Sequence, residues 1–293
     1  MMNMSNYLEK IYTEFETNIA SLDCLCKLGS LNYCSLEFPN YNDVLIQQLY
    51  LLKYAYGYTY EYYLMYEQAM RELDVRDQLS VLSIGCGALI DYKSLKSLFP
   101  NKISYTGIDK VDWNYKADIK TGDNVELVLK TSAKDYFRRI PQMNADIYMF
   151  PKSISELSME EINEVAQHFG NKQNKKEKFC VCVSLRNTPE HRAEDMAKME
   201  VIGRSIEKSG YKPGDKNNYF YSFTDGGRGI KAYQKEYDYP EHVINGVSNL
   251  KEKCKAKGSM DKCAGCGRCL NRFPILRTGE ICYRIMKFER RAA

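Results

Sequence analysis

The 293-residue chain lacks any run of eighteen consecutive apolar residues, which excludes a transmembrane helix. It also lacks a leader-like start: MMNMSNYLEKIYTEF carries acidic residues and no apolar core, so no signal peptide is read there and a soluble, cytoplasmic protein is expected. Internal repeats and low-complexity segments are absent. Only three histidines occur, His168, His191 and His242; they stand far apart and suggest no histidine-based centre. With 44% hydrophobic and 27% charged residues the composition is that of a globular protein, not a collagen, a disordered chain or a disulfide-dense miniprotein. A chain of this length buries about three quarters of its unfolded surface, so it needs no covalent staples.

Charge and cysteine are what the chain has in unusual places. The net charge is +4. From Arg228 onward there are 15 Lys and Arg against 7 Asp and Glu, leaving the rest of the chain mildly acidic. A basic tail on an acidic body suggests a nucleic-acid footprint, or a solvated surface that keeps the tail soluble. Of eleven cysteines, Cys254, Cys263, Cys266, Cys269 and Cys282 fall in the last forty residues. In a reducing compartment such crowding points to metal rather than disulfides.

Three regions follow from the pattern, at 1–75, 76–240 and 241–293. The first reads as helical: Asn42 to Leu73 holds no proline and one glycine, and its apolar residues recur at helical spacing. Tyr50, Tyr54, Tyr58, Tyr62 and Tyr66 lie four apart, a ridge expected to pack, or alternatively to form a substrate-facing wall. The second region alternates short apolar runs (81–84, 103–108, 146–150, 179–185) with amphipathic stretches, the pattern of βαβ units around a parallel sheet. Tyr219 to Phe223 and Ile230 to Tyr237 flank a glycine-rich turn and read as an antiparallel hairpin. The third region is too short and polar to build a core, so a metal would have to order it.

Gly85-Cys86-Gly87 closes the first strand and opens toward a helix, where glycine lets the backbone bend and a ligand approach. Asp109, 22 residues beyond Gly87, ends the next strand, where a carboxylate can accept from both ribose hydroxyls. The order strand, turn, helix, strand, Asp points to an adenosine-containing cofactor. After Gly87 come Ala88, Leu89, Ile90 and Asp91, so the third glycine of a dinucleotide turn is missing, which argues against NAD or FAD.

These segments resemble the class I S-adenosylmethionine-dependent methyltransferases, over roughly residues 78–237. VLSIGCGALID looks like their first motif and YTGIDKVDW like their second. LKTSAKDYF falls where the adenine is held, DIYMFPKSISEL resembles the fourth motif, KFCVCVSL fits the fifth strand, and the hairpin fits the reversed last strand. The resemblance implies an α/β Rossmann-like methyltransferase sheet, here between an N-terminal helical domain and a small Cys-rich module. It implies S-adenosylmethionine as cofactor, with Ile84, Gly85, Cys86, Gly87, Leu89, Asp109, Lys110, Ser132, Ala133 and Phe150 around it. Ser83 replaces an acidic residue common in the first motif, Leu89 its last glycine, and Ser132 an Asp common at the adenine.

Methyl transfer is an in-line displacement, so positioning and deprotonation of the acceptor are its main needs. Phe150-Pro151-Lys152-Ser153 departs from the Asn/Asp-Pro-Pro-aromatic loop of enzymes that methylate exocyclic base nitrogens. The Pro-Cys or Thr-Cys nucleophile of carbon-5 cytosine enzymes does not occur. Lys152 and Ser153 are therefore the candidate catalytic groups, with pairing of Lys152 to Glu156 as the structural alternative. Cys180 and Cys182 read as core.

Cys263-Ala264-Gly265-Cys266-Gly267-Arg268-Cys269 lets successive thiolates converge on one centre. Together with Cys254 and Cys282 it suits a Cys₄ zinc site; a four-iron, four-sulfur cluster is the alternative, and the polar, Lys-rich surroundings favour zinc. Arg268, Arg272, Arg277, Arg284, Lys287, Arg290 and Arg291, with Phe273 and Tyr283 among them, suggest RNA as partner. The expected function is thus an RNA methyltransferase. A small-molecule methyltransferase with a Tyr-rich lid and a non-catalytic assembly protein are its rivals.

Overall fold

The protein is described from a computed structural model, over residues 4–31, 39–75, 77–140, 142, 144–171, 174–222, 227–232, 238–257, 270 and 273–291. The chain divides into two compact units. One comprises residues 1–58, 113–116 and 226–278, the other residues 59–112, 117–225 and 279–293. The expected division at 1–75, 76–240 and 241–293 is linear, whereas each of these units draws on several stretches of the chain. The last of the three regions supplies both units, because residues 226–278 are an insertion ahead of the final strand rather than a tail.

In the first unit, helix α1 (Met4–Ala20) buries Met4, Tyr7, Leu8, Ile11, Phe15 and Ile19, a single face at three- and four-residue spacing. Asp43 caps α2 (Val44–Tyr50) by accepting the Leu45 N–H at 2.9 Å. A π-helical turn, Leu51–Ala55, then leads into α3 (Tyr56–Leu73). The short helix α8 (Glu241–Ser248) lies against α1. A Cβ on Gly246 would come 1.8 Å from the Tyr12 hydroxyl, so glycine is what allows that approach. Segment 113–116 belongs to this unit through polar contacts. The Asn114 N–H donates to Gln47 at 2.9 Å, and the Tyr115 hydroxyl donates to Glu14 at 2.7 Å.

The second unit is built on a seven-stranded sheet of order β3-β2-β1-β4-β5-β7-β6. Its strands are β1 (Leu79–Ile84), β2 (Ile103–Asp109), β3 (Asn124–Leu129), β4 (Ile147–Phe150), β5 (Lys178–Ser184), β6 (Tyr211–Ser222) and β7 (Cys282–Arg290). The pairs from β3 to β5 are all parallel. β7 runs antiparallel to both neighbours, with Val181 opposite Met286 and Tyr211 opposite Arg290. Central β4 is buried throughout, as a strand covered on both faces should be. Helices α4 (Ile90–Leu98), α5 (Ala133–Arg139), α6 (Met159–Asn171) and α7 (Pro189–Lys208) connect the strands. One core cluster joins Phe137, Tyr148, Phe169, Phe179, Met286 and Phe288. Phe179 stacks on Phe288 at 5.6 Å and meets Tyr211 edge-on at 5.0 Å. Each such ring contributes about 1.5–3 kcal/mol by leaving water.

Two sequence expectations change here. Of the hairpin expected at 219–223 and 230–237, residues 223 and 233–237 lie outside the described residues; Ile230–Ala232 is a 3₁₀ turn, and Tyr219–Ser222, in β6, pair with β7 some sixty residues downstream. The segment read as basic tail around Arg284, Lys287 and Arg290 is the reversed strand itself. Its charged residues are only half-buried, while Cys282, Ile285, Met286 and Phe288 between them are buried. β3, partly exposed along its length, was not expected either.

The tyrosine ridge is buried, as packing predicts: Tyr54, Tyr58, Tyr62 and Tyr66 lie inside. Tyr54 stacks on Tyr58 at 5.6 Å within the first unit. No helix among the described residues is long and apolar enough to cross a membrane.

Candidate functional site

The connections from β1 and β4 leave in opposite directions along the sheet, and the crevice at the carboxyl ends of those strands is where open α/β sheets take ligands. The turn after β1 lies there. Gly85 and Gly87 take positive φ, +76° and +52°, which a side chain would strain, and Leu89 follows in the same region at +62°. The Gly85 and Cys86 N–H groups both donate to the Ile108 carbonyl, at 2.8 and 3.0 Å, stitching the turn to the end of β2. The Gly87 N–H donates to Asp109 Oδ2 at 2.7 Å, and the Val111 N–H to Asp109 Oδ1 at 2.8 Å. Backbone amides thus set the orientation of the carboxylate on which the sequence reading rested. With the turn after β1, an acid ending β2, and a reversed β7 inserted between β5 and β6, the deciding features are together. This is the class I methyltransferase fold.

No family model and no curated protein matches the chain. Among solved structures it is similar to the plantazolicin methyltransferase BpumL in complex with SAH, at 12% identity over 97% of this chain and 99% of that one, TM-score 0.45. It is also similar to 1,6-didemethyltoxoflavin-N1-methyltransferase of Burkholderia thailandensis, at 9% identity over 79% of each chain, TM-score 0.43. A third is precorrin-6y C5,15-methyltransferase of Geobacter metallireducens, at 15% identity over 77% of this chain and 87% of that one, TM-score 0.39.

Within the methyltransferase fold the expected site residues separate into two groups. Ile84, Gly85, Cys86, Gly87, Leu89 and Asp109 come together at the β1 turn and the end of β2. The others are engaged elsewhere. Ser132 caps α5: its hydroxyl donates to Asp135 at 2.6 Å and accepts the Asp135 N–H at 3.1 Å. Ala133 and Phe150 are buried in the core cluster. Lys110 pairs with Glu161 at 2.8 Å. Burial pushes the Glu161 carboxyl up, but Lys110 and the Ser158 N–H outweigh it and hold it below its ordinary range.

Lys152 and Ser153 sit on the loop after β4, as the fourth motif implies, but each is tied to the protein. The Ser153 hydroxyl donates to the Ile84 carbonyl. Lys152 pairs with Glu61 on α3 at 3.2 Å, not with Glu156, and donates to the Leu185 carbonyl. Ser184 donates to the other oxygen of Glu61. Glu61 is wholly buried, which raises its pKa despite Lys152 and Ser184. Sequence reading missed Glu61, although one acid amid the tyrosines of α3 is the kind of residue that needs an internal partner. It missed Asp91 as well. That buried carboxylate accepts from the Tyr66 and Tyr105 hydroxyls, each at 3.0 Å.

The metal site expected of the cysteines gains no support. Cys263, Cys266 and Cys269 lie outside the described residues. Cys282 opens β7 inside the core cluster, where burial raises its thiol pKa and so disfavours a ligating thiolate. The Cys254 thiol donates to the Asp23 carbonyl at 3.8 Å. No group of three or more His, Cys, Asp or Glu among the described residues could hold a metal ion.

Proposed function

We propose that the protein is an S-adenosylmethionine-dependent methyltransferase acting on a small-molecule acceptor. The observation that carries the cofactor is Asp109, a carboxylate fixed by two backbone amides at the carboxyl edge beside a turn of left-handed glycines. A carboxylate at the end of this strand can accept from the hydroxyls of a ribose. Glycine at 85 and 87 keeps side chains off the approach to the turn. When bound, the cofactor supplies an electrophilic methyl group on a sulfonium sulfur. The chain's contribution is orientation: Asp109 at the ribose, and the turn's backbone along the rest of the cofactor. Calorimetric titration of S-adenosylmethionine and S-adenosylhomocysteine into the purified protein tests this. Binding that Asp109→Ala abolishes supports the reading, and no binding by folded protein overturns it.

The acceptor reading rests on how the basic residues are spent. Lys231 pairs with Asp238 at 2.8 Å, Lys287 with Glu289 at 2.7 Å and Arg290 with Glu177 at 3.2 Å. Lys253 pairs with Glu16 and Lys257 with Glu252. Charges already matched by carboxylates release few counterions on meeting a phosphate backbone, which weakens the case for RNA. The rival reading, RNA held by the Cys263–Cys269 segment with Arg268 and Arg272, rests on the sequence pattern. Tight RNA binding with steep salt dependence, lost on charge reversal at Arg268 and Arg272, would replace the small acceptor with RNA.

A further inference from the structure

The pair Glu61–Lys152 is an unusual object in this core. Burying two opposite charges costs several kcal/mol per ion before their attraction is counted, so such a pair is weak evidence for stability. Lys152 also holds φ at +54°, left-handed backbone that a non-glycine residue adopts at a cost of about 1–3 kcal/mol, and which is kept only where the surroundings enforce it. What enforces it is visible. The ammonium is drawn between the Glu61 carboxylate and the Leu185 carbonyl, while Ser184 fixes Glu61 from the other side.

The next residue shows what the strained backbone does. Ser153 packs directly on the first glycine of the cofactor turn: a Cβ added to Gly85 would lie 2.3 Å from Ser153 Cβ. Its hydroxyl donates to Ile84, the last residue of β1. One peptide unit, about 3.8 Å between α-carbons, separates the strained Lys152 from this contact. The direction Lys152 takes therefore decides whether Ser153 sits under the turn.

We propose that the Glu61–Lys152 pair is a positioning device for the cofactor turn, with Glu61, on α3 and outside every methyltransferase motif, as a positioning residue for S-adenosylmethionine binding. The inference rests on the methyltransferase reading. It requires that the pair act through the left-handed backbone at 152 and not through charge as such.

The test compares two double variants by calorimetry with S-adenosylhomocysteine, alongside thermal unfolding. Glu61→Gln/Lys152→Gly and Glu61→Gln/Lys152→Met both remove the two charges, but only glycine adopts the left-handed conformation without strain. The glycine double is expected to bind within threefold of wild type. The methionine double is expected to bind at least tenfold more weakly, at a comparable unfolding temperature. Equal affinity in the two overturns the proposal. If the doubles do not fold, Lys152→Gly against Lys152→Ala gives the same contrast with Glu61 in place, and equal affinity there is equally fatal. Wild-type protein with Asp109→Ala is the control. If wild type does not bind, the methyltransferase reading falls too, whereas binding with no glycine-specific rescue removes the positioning device alone.

Discussion

Asp91 is a buried acid whose charge costs the fold, and that cost is measurable. Its side chain is 1% exposed, between α4 and β2, with Tyr66 and Tyr105 as donors. Burial pushes its carboxyl from 3.8 up to about 6, against the pull of Ser83 and the two tyrosines. Because the folded pKa lies above the unfolded one, the folded state binds more protons between the two values, and stability falls as pH rises through that window. Each tenfold gain in proton affinity is worth about 1.4 kcal/mol, so the whole rise corresponds to about 3 kcal/mol. Between pH 4.5 and 7.5 the part still to be lost is about 2 kcal/mol. Asp91→Asn keeps a carbonyl acceptor for the tyrosines and removes the titration. Urea unfolding of both proteins across this range isolates the residue, since every other group cancels in the difference. The stability of wild type relative to the variant should fall by about 2 kcal/mol from pH 4.5 to 7.5. A difference that stays flat, or that grows with pH, refutes the reasoning.

Gly85→Ala should abolish S-adenosylhomocysteine binding and lower the unfolding temperature, because a Cβ there meets Ser153 at 2.3 Å on a backbone at φ +76°; near-normal calorimetric affinity would contradict it. Tyr148→Phe leaves the Ala145 N–H and the Asn174 amide, bonded to the hydroxyl at 3.1 and 2.8 Å, without their acceptor, and should cost about 1–3 kcal/mol in urea unfolding. Phe288→Ala empties a position stacked on Phe179 and should cost about 3–5 kcal/mol; a loss below about 1 kcal/mol would mean that β7 is not part of the core. Chelator treatment of purified protein should leave S-adenosylhomocysteine binding unchanged, as the cofactor residues share no described metal group.

The residues near one another in sequence explain what was legible. A strand ending in Gly85-Cys86-Gly87 and a second ending in Asp109 are local patterns, and local sterics dictate them: only glycine turns so tightly there, and β2 must lie beside β1 for the carboxylate to reach the Gly87 N–H. Helix α1 was legible for the same reason, because its helical spacing puts one face inward. Strands β1, β2, β4 and β5 and the glycine turn after β1 were therefore legible in local pattern, whereas β3 was not. Tertiary structure alone decided the rest. β7 finds β5 and β6 across a long insertion, a pairing that no neighbouring residue specifies, and its two arginines and one lysine hid the apolar residues it buries. Glu61 meets Lys152 from another element far along the chain, and Asp91 meets Tyr66 from another helix. Each is a polar group left in the core, and the partner it takes there is set by which elements pack together, not by its place in the chain.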